Sequence, residues 1–592
     1  MPRRPAGRNL ALIMTGSLAL QLAFIARSGF TFAQKTYLTL FDDAMVSMRY
    51  ARNLAEGFGL VWNPGEYVEG YTNLLWTLWM ALLHLIPVDE SKIYLLVMLS
   101  GVAILLLNTY TVRLIASALT EHTLAVDLAT ALSAFYYPLI FWTLRGMEVG
   151  LVTLQVSLMV LLGLRLTETF SHRRLLALCA LFSSSLLTRP DALVPCLAVM
   201  LFLLISETPE RRKVLCGLAL ALAGTIGMHT LFRYHYYGDL LPNTYYLKMT
   251  GIPFMHRLDR GLTYFLQILV YKLALPISLA VPLLLKREGD GAAGANRLLL
   301  PVFVIMGQLC YSVYVGGDAW EIFMFSNRFI TPAIPLLFIL TAMGLERITS
   351  QARPKYIISV CLAAFGMASM YLLLPALGLV RLPDVLAFYL FRPFWRSWPL
   401  LASFGLLVFS YLVALSSTPA GWTSTAGIRV RMVARAALGP ALFLLVFLPM
   451  NFHHYKSWAR LNYEHFYDES SRIQVARWVR NYPVKDARIA VSWAGTVPYF
   501  TGNYSIDILG KCDRKIARMA PVTGFNPGHN KWDIDYSIGE LEPDIIIEVH
   551  GKVSGQDRAR IVTEYGYTPL AEDTYGLDAF YVRTEGRQGV PE

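Results

Sequence analysis

Charge is scarce in this sequence. Only 16% of its 592 residues are Asp, Glu, Lys or Arg, against about 25% in ordinary soluble domains. Hydrophobic residues make up 55% and aromatics 13%, and the mean hydropathy is +0.45. So few charges cannot cover that much apolar surface in water, which excludes a string of soluble domains. Disordered and fibrous classes fall with it. Cysteine is also scarce, at six residues. Cys179, Cys196, Cys216, Cys310 and Cys361 lie in apolar runs, and Cys512 stands alone near the C-terminus. No CxxC and no secreted-type spacing occurs, so cysteine frames neither a disulfide scaffold nor a zinc site. Internal repeats and low-complexity segments are missing too. The 41 acidic residues are outnumbered by 52 basic ones, for a net charge of +11. Those bases form short clusters between apolar runs, not a continuous face. That pattern orients a membrane protein and does not bind nucleic acid.

What is present is a succession of apolar runs. Arg3, Arg4 and Arg8 precede a run at 10–26, read as an uncleaved signal anchor with its N-terminus in the cytoplasm. Further runs fall at 93–112, 124–142, 149–166, 175–188, 192–206, 214–232, 265–285, 298–314, 329–345, 356–379, 399–416 and 436–450. A stretch at 74–86 is too short for a comfortable span and reads as interfacial or re-entrant. Leaving it out places Arg173 and Arg174, Arg211 to Lys213, Lys286 and Arg287, Arg353 and Lys355, and Arg429 to Arg435 on the side of the N-terminus. That is the positive-inside arrangement. The expected fold is a polytopic α-helical membrane protein of about 13 spans over residues 1–450. Its first outer loop is 27–92. From residue 451 to 592 the composition turns polar. A helix over 468–482 and strands at 488–492, 504–509 and 544–549 predict a small α/β domain on the extracytoplasmic face.

With that topology the polar turns share one side: Asp42 and Asp43, Glu148, Arg189 and Asp191, Asp239 with Asn243, and Asp318 with Arg328. Polar groups at membrane depth are costly and face a cavity or a partner. Each has a bland reading beside a functional one. Asp42 and Asp43 either cap the helix that follows or supply a general base with a raised pKa. Successive helical residues point apart, so one of the two acts on substrate and the other is structural or binds a metal; Asp42 is preferred for substrate. Glu148 either stabilises a helix start or binds substrate. Arg189 and Asp191 either pair across Pro190, or Arg189 joins Lys248 and Arg328 in binding an anionic head group. Arg257 and Arg260 read as solvated loop charges. The aromatic and amide groups of 62–73, including Tyr71 and Asn73, suit either carbohydrate or a membrane-interface belt.

The ordered set of motifs resembles a known family. Asp42-Asp43, Arg49-Tyr50-Ala51, Gly59 to Glu66, Val68 to Asn73, Gly146-Met147-Glu148, Arg189-Pro190-Asp191, Tyr237 to Thr244, Gly316-Gly317-Asp318 and Arg328-Phe329 look like the GT-C membrane glycosyltransferases. They are most similar to the terminal arabinofuranosyltransferases of mycobacterial cell walls and their bacterial relatives. The likeness continues at Ile506 to Gly510 and Gly528-His529-Asn530-Lys531. One departure is Gly510-Lys511-Cys512-Asp513, where Gly-Leu and Ser or Thr are expected before the Asp; it bears on the acceptor and leaves the first loop untouched. The resemblance implies an inverting transferase of polysaccharide biosynthesis in the bacterial cytoplasmic membrane. Its donor is a polyprenyl-phosphate sugar, arabinofuranose or another sugar, and its acceptor is a polysaccharide, glycolipid or glycoprotein. Asp42 or Asp43 is then the base. Arg189, Lys248 and Arg328 hold the phosphate. Glu148, Asp191, Asp239, Asn243, Asp318, Tyr71, Asn73 and His529 line the substrate site. Asp42, Asp43, Glu148 and Asp318 are hard oxygen ligands that suit Mg²⁺ or Ca²⁺. The rival class is a lipid or sugar transporter, which predicts paired halves that the sequence does not show. A non-catalytic assembly subunit, which tolerates loss of both Asp42 and Asp43, is the third reading.

Overall fold

The computed structural model describes residues 7–285, 292–321, 327–351, 425–459, 467–484, 486–549, 555–570 and 580–584, with isolated positions between 356 and 367 and at 553. Helix α1 (Gly7–Arg27) leads into a hairpin of β1 (Gly29–Phe32) and β2 (Lys35–Leu38). Helices α2 (Asp42–Ala55) and α3 (Leu74–His84) then pack on each other. The bundle continues through α4 (Ile93–Leu119), α5 (Thr123–Ala134), α6 (Tyr137–Leu144), α7 (Val149–Glu168), α8 (His172–Thr188), α9 (Leu193–Ile205) and α10 (Arg211–Tyr237). A short α11 (Asn243–Met249) precedes α12 (Phe254–Ile268), α13 (Ala274–Ala280), α14 (Ala292–Val315) and α15 (Ile334–Gln351). Long helices suit a membrane because they satisfy every backbone N–H and C=O internally.

The chain is a multi-pass membrane protein. Among the described residues, seven helices are long and apolar enough to cross a bilayer, or eight when α5 and α6 count as one bent span. Those two meet at 42°, because Pro138 in the first turn of α6 cannot continue the helix before it. The 11 residues of α3 reach only about 16 Å at about 1.5 Å per residue, too short to cross. The runs at 356–379 and 399–416 fall largely outside the described residues. The run at 265–285 is corrected: its helix begins at Phe254, so Arg257 and Arg260 are helical, not loop charges. Arg260 is largely buried and donates to the carbonyls of Gly316 and Asp318.

After a helix at Thr425–Ala459 the chain forms a helix at Tyr467–Arg480 and a five-stranded sheet. The strands are β3 (Ile489–Val491), β4 (Ser505–Asp507), β5 (Ile545–Ile547), β6 (Tyr567–Pro569) and β7 (Phe580–Arg583), in the order β4-β3-β5-β7-β6. β3 runs parallel to β4 and β5, and β7 antiparallel to β5 and β6. Alternation along the strands divides the core. Ile489, Val491, Ile545 and Ile547 join the main helical core. Ala490, Ile506 and Ile546 face a second cluster around Trp532, Ile534 and Ile538.

Arg49 of α2 ties this region to the first loop. Its guanidinium is 1% exposed. Nε donates to the Trp62 carbonyl, Nη1 to the Pro498 carbonyl and Ser505 Oγ, and Nη2 to Asn63 Oδ1 and the Asn503 carbonyl, at 2.6–3.0 Å. All five of its N–H donors are thereby used.

Candidate functional site

A cleft, partly open to solvent, lies between α2, α11, the loop before α15 and the C-terminal sheet region. Asp42, Asp43, Lys248, Arg328, Lys511 and His529 line it, with Trp320 and Trp493.

The two first-loop acids have different environments. Both oxygens of Asp42 accept backbone N–H groups, from Gly495 at 3.1 Å and Thr496 at 2.8 Å. Asp42 thus serves the start of the helix Thr496–Thr501 and is 5% exposed. The approach is so close that a Cβ on Gly495 would stand 2.0 Å from the Asp42 carbonyl oxygen. Burial raises the Asp42 carboxyl above the usual range, against Arg472 and the Thr496 N–H. Asp43 instead faces the cleft, with its side chain 26% exposed. It accepts from Lys511 Nζ and Arg328 Nη1, each at 2.8 Å, and from Trp320 Nε1 at 3.4 Å. Burial alone would raise its carboxyl, but Lys511, Arg328 and Lys248 together outweigh that and hold it well below the ordinary value.

The contact to Lys511 corrects the expectation that the departure at Lys511 leaves the first loop untouched. Its ammonium rests directly on a first-loop acid. The loop that carries it turns on Asp507, whose carboxylate accepts the N–H of Leu509 and Gly510 at 3.1 Å and of Cys512 at 2.6 Å. Gly510 sits at φ 79° within that turn, a left-handed conformation that favours glycine. Asn243 Nδ2 clamps the loop from α11, donating to the carbonyls of Gly510, Lys511 and Asp513 at 3.0–3.1 Å. Nothing in sequence spacing links Lys511 to Asp43. The basic residue in an otherwise familiar motif was the available signal.

Arg328 is fixed by Asp318. Its Nε and Nη2 donate at 2.8 Å to the two carboxylate oxygens, and its backbone N–H donates at 3.0 Å. Asp318 is 2% exposed and therefore orients Arg328. Lys248 points into the same cleft without a hydrogen bond or ion pair among the described residues. Burial, then Arg328 and Lys511, lower its ammonium to about 8, against the pull of Asp43 and Asp318.

Other expected site residues lie elsewhere. Arg189 donates to Glu148 at 2.6 Å and to Asp191 at 2.8 Å, and its guanidinium stands 5.3 Å from the Phe329 ring centre. Its charge is thus matched twice, and it is not part of the cleft wall. Asn73 orients Glu148, donating at 2.9 Å, and Ser47 in turn donates to Asn73. Tyr71 hydrogen-bonds Tyr237 at 3.0 Å within the core. Asp239 pairs with Arg514 and Arg518 on the surface. The four acids expected to suit a cation do not form one site. Lys511 and Arg328 occupy Asp43, Arg328 occupies Asp318, Arg189 occupies Glu148, and backbone N–H groups occupy Asp42. Among the described residues no group of three or more His, Cys, Asp or Glu side chains is arranged to hold a metal.

A family model described as a domain of unknown function, DUF8728, matches residues 459–585. A terminal beta-(1->2)-arabinofuranosyltransferase of Mycobacterium tuberculosis is 30% identical over 265 residues, 41% of this chain and 40% of the relative. Its counterpart in Corynebacterium glutamicum is 26% identical over 263 residues, 40% of this chain and 37% of the relative. The chain thus spans about two fifths of the length of the curated relatives it matches. Among solved structures, ArnT from Cupriavidus metallidurans in the apo state is similar at a TM-score of 0.55 and 14% identity, covering 98% of this chain and 99% of ArnT. ArnT bound to undecaprenyl phosphate gives 0.55 at 12% identity, covering 99% and 100%. A match running end to end through both chains makes the architecture of this protein that of ArnT, the GT-C fold.

Proposed function

We propose that the protein is a membrane glycosyltransferase moving a sugar, arabinofuranose in the first instance, from a polyprenyl-phosphate donor to a glycan acceptor. The observation that carries the reading is a carboxylate, Asp43, set in the same cleft as Lys248 and Arg328. A base and a phosphate cradle within one cleft are what displacement at a phosphorylated anomeric carbon needs. Sequence similarity to arabinofuranosyltransferases and the fold shared with an undecaprenyl-phosphate-bound protein support it. Trp320, Trp493 and His529 offer flat faces suited to a sugar ring.

The acceptor hydroxyl oxygen attacks the anomeric carbon. Its proton passes to Asp43. The bond from that carbon to the phosphate oxygen breaks, its electron pair stays on the oxygen, and polyprenyl phosphate leaves. Attack opposite the leaving group inverts the centre. Lys248 and Arg328 hold the charge that grows on the departing phosphate. We assign the base to Asp43 in preference to Asp42, because each Asp42 oxygen already accepts a backbone N–H, from Gly495 and Thr496. Asp42 instead docks the C-terminal region on the first loop. By charge distribution, the cleft and the C-terminal region face the extracytoplasmic side of a bacterial cytoplasmic membrane, and the N-terminus is cytoplasmic.

The test is transfer of labelled sugar from decaprenyl-phosphoryl-arabinofuranose to an arabinan oligosaccharide by the purified protein. Transfer that Asp43→Asn abolishes is expected. Binding of the donor without transfer to arabinan redirects the search to another glycan or a protein acceptor. Failure to bind that donor while another polyprenyl-phosphate sugar binds overturns arabinose and keeps the class.

A further inference from the structure

We propose that Lys511, supplied by the C-terminal region, is a third ligand of the donor phosphate and joins Lys248 and Arg328 across the cleft. The inference rests on the glycosyltransferase reading and deepens it. Its first support is construction. Two side chains, Asp507 and Asn243, spend six hydrogen bonds shaping the loop of 509–513. That loop delivers one ammonium into the cleft, with 23% of the Lys511 side chain exposed. A lysine serving only to anchor the region would duplicate Arg49 and Asp42, which already do so at lower exposure.

The second support is charge. Of the carboxylates around the cleft, Asp42 and Asp507 accept backbone N–H groups, and only Asp43 and Asp318 bond the cations directly; counted over that bonded set, Lys248, Arg328 and Lys511 exceed their carboxylates by one charge. A sugar phosphodiester carries one negative charge. Once Asp43 has taken the acceptor's proton the set carries two positive charges, and the departing phosphate monoester carries up to two negative ones. Without Lys511 both counts fall short by one. The third support is what Lys511 now touches. Its partner Asp43 is a carboxylate that an incoming phosphate would displace, so the ammonium moves from one oxyanion to another without losing a charged partner. Such an exchange also strips Asp43 of a cation at the moment it must accept a proton.

The experiment measures binding of undecaprenyl phosphate to the full chain in detergent, for wild type, Lys511→Ala, Lys511→Gln and Lys511→Arg. Inorganic phosphate serves as competitor. Removing the charge is expected to weaken binding by about tenfold or more, while Lys511→Arg stays within about threefold of wild type. Lys511→Gln is one atom shorter but keeps an aliphatic stem and a neutral N–H donor, so it reads the charge even if the alanine variant folds poorly. Competition by inorganic phosphate in wild type, lessened in Lys511→Gln, marks head-group recognition as the role of Lys511. Equal affinity of folded Lys511→Gln and wild type overturns the proposal, and so does equal competition in both. Loss of binding by wild type itself would instead remove the glycosyltransferase reading beneath it.

Discussion

Replacing Asp43 with Asn should drive two measurements in opposite directions. The side chain accepts from Lys511 and Arg328 at 2.8 Å each. An incoming phosphate competes with this carboxylate for Lys511 and stays beside it in the same cleft. Two like charges at about 6 Å repel by about 3 kcal/mol at an effective dielectric constant of about 20. Removing that repulsion should tighten undecaprenyl phosphate binding by about tenfold to a hundredfold, since about 1.4 kcal/mol is a factor of ten. Sugar transfer should fall by about 10²- to 10⁴-fold, the usual contribution of a general base. The assay pairs initial transfer rates with equilibrium binding of undecaprenyl phosphate on the same preparation. The protein alone should also lose thermal stability, because two cations lose their anion, and bound phosphate should restore it. Weaker binding alongside slower transfer would refute the reasoning, because it would mean that Asp43 merely holds the cleft open.

Three other perturbations separate neighbouring roles. Lys248 attracts phosphate only while protonated, and it faces Arg328, Lys511, Asp43 and Asp318; with its ammonium lowered to about 8, undecaprenyl phosphate affinity should fall about fivefold to tenfold from pH 7 to pH 9, a trend that Lys248→Arg flattens. Asn243→Ala removes three hydrogen bonds to the loop of Lys511 and should cost about 1–3 kcal/mol in denaturant unfolding, with a clear loss of transfer. Arg189→Lys breaks a doubly matched guanidinium and should lower stability by about 2 kcal/mol while changing undecaprenyl phosphate affinity less than about threefold; a large affinity loss would return Arg189 to the phosphate site.

Much of the helical architecture was legible because a bilayer demands contiguous apolar residues, and contiguity survives in a linear reading. Strands β3, β4 and β5 were legible for a similar reason, as each lies in a short stretch rich in Ile, Val or Leu. The hairpin β1–β2 was not. Its two-residue loop is Ala33-Gln34, both at positive φ, a conformation usually announced by Asn or Gly. Strands β6 and β7 were not read from the sequence either. In the cleft, Asp43 and Arg328 were legible as polar residues at span ends. The different hydrogen-bond partners of Asp42 and Asp43 were not, because they depend on where residues 495 and 496 come to rest. Of the two readings of Arg189, the pairing with Asp191 across Pro190 is present in the structure. Asp191 is close in sequence, but Glu148, which completes the pairing, is 41 positions away.

The bond between Asp43 and Lys511 closes a separation of 468 residues, and that has a consequence for biosynthesis. A ribosome feeding this chain into a membrane finishes α2 long before residue 511 emerges. Until then the acid faces the cleft without that counterion, and the nascent bundle lacks the loop that would close over it. Contacts between parts so distant in sequence form late. Under the proposed function, a chain ended before residue 511 should therefore transfer no sugar, however well its helices have inserted. Prematurely terminated products would occupy the membrane without consuming donor, and activity would report on complete synthesis and not on insertion alone.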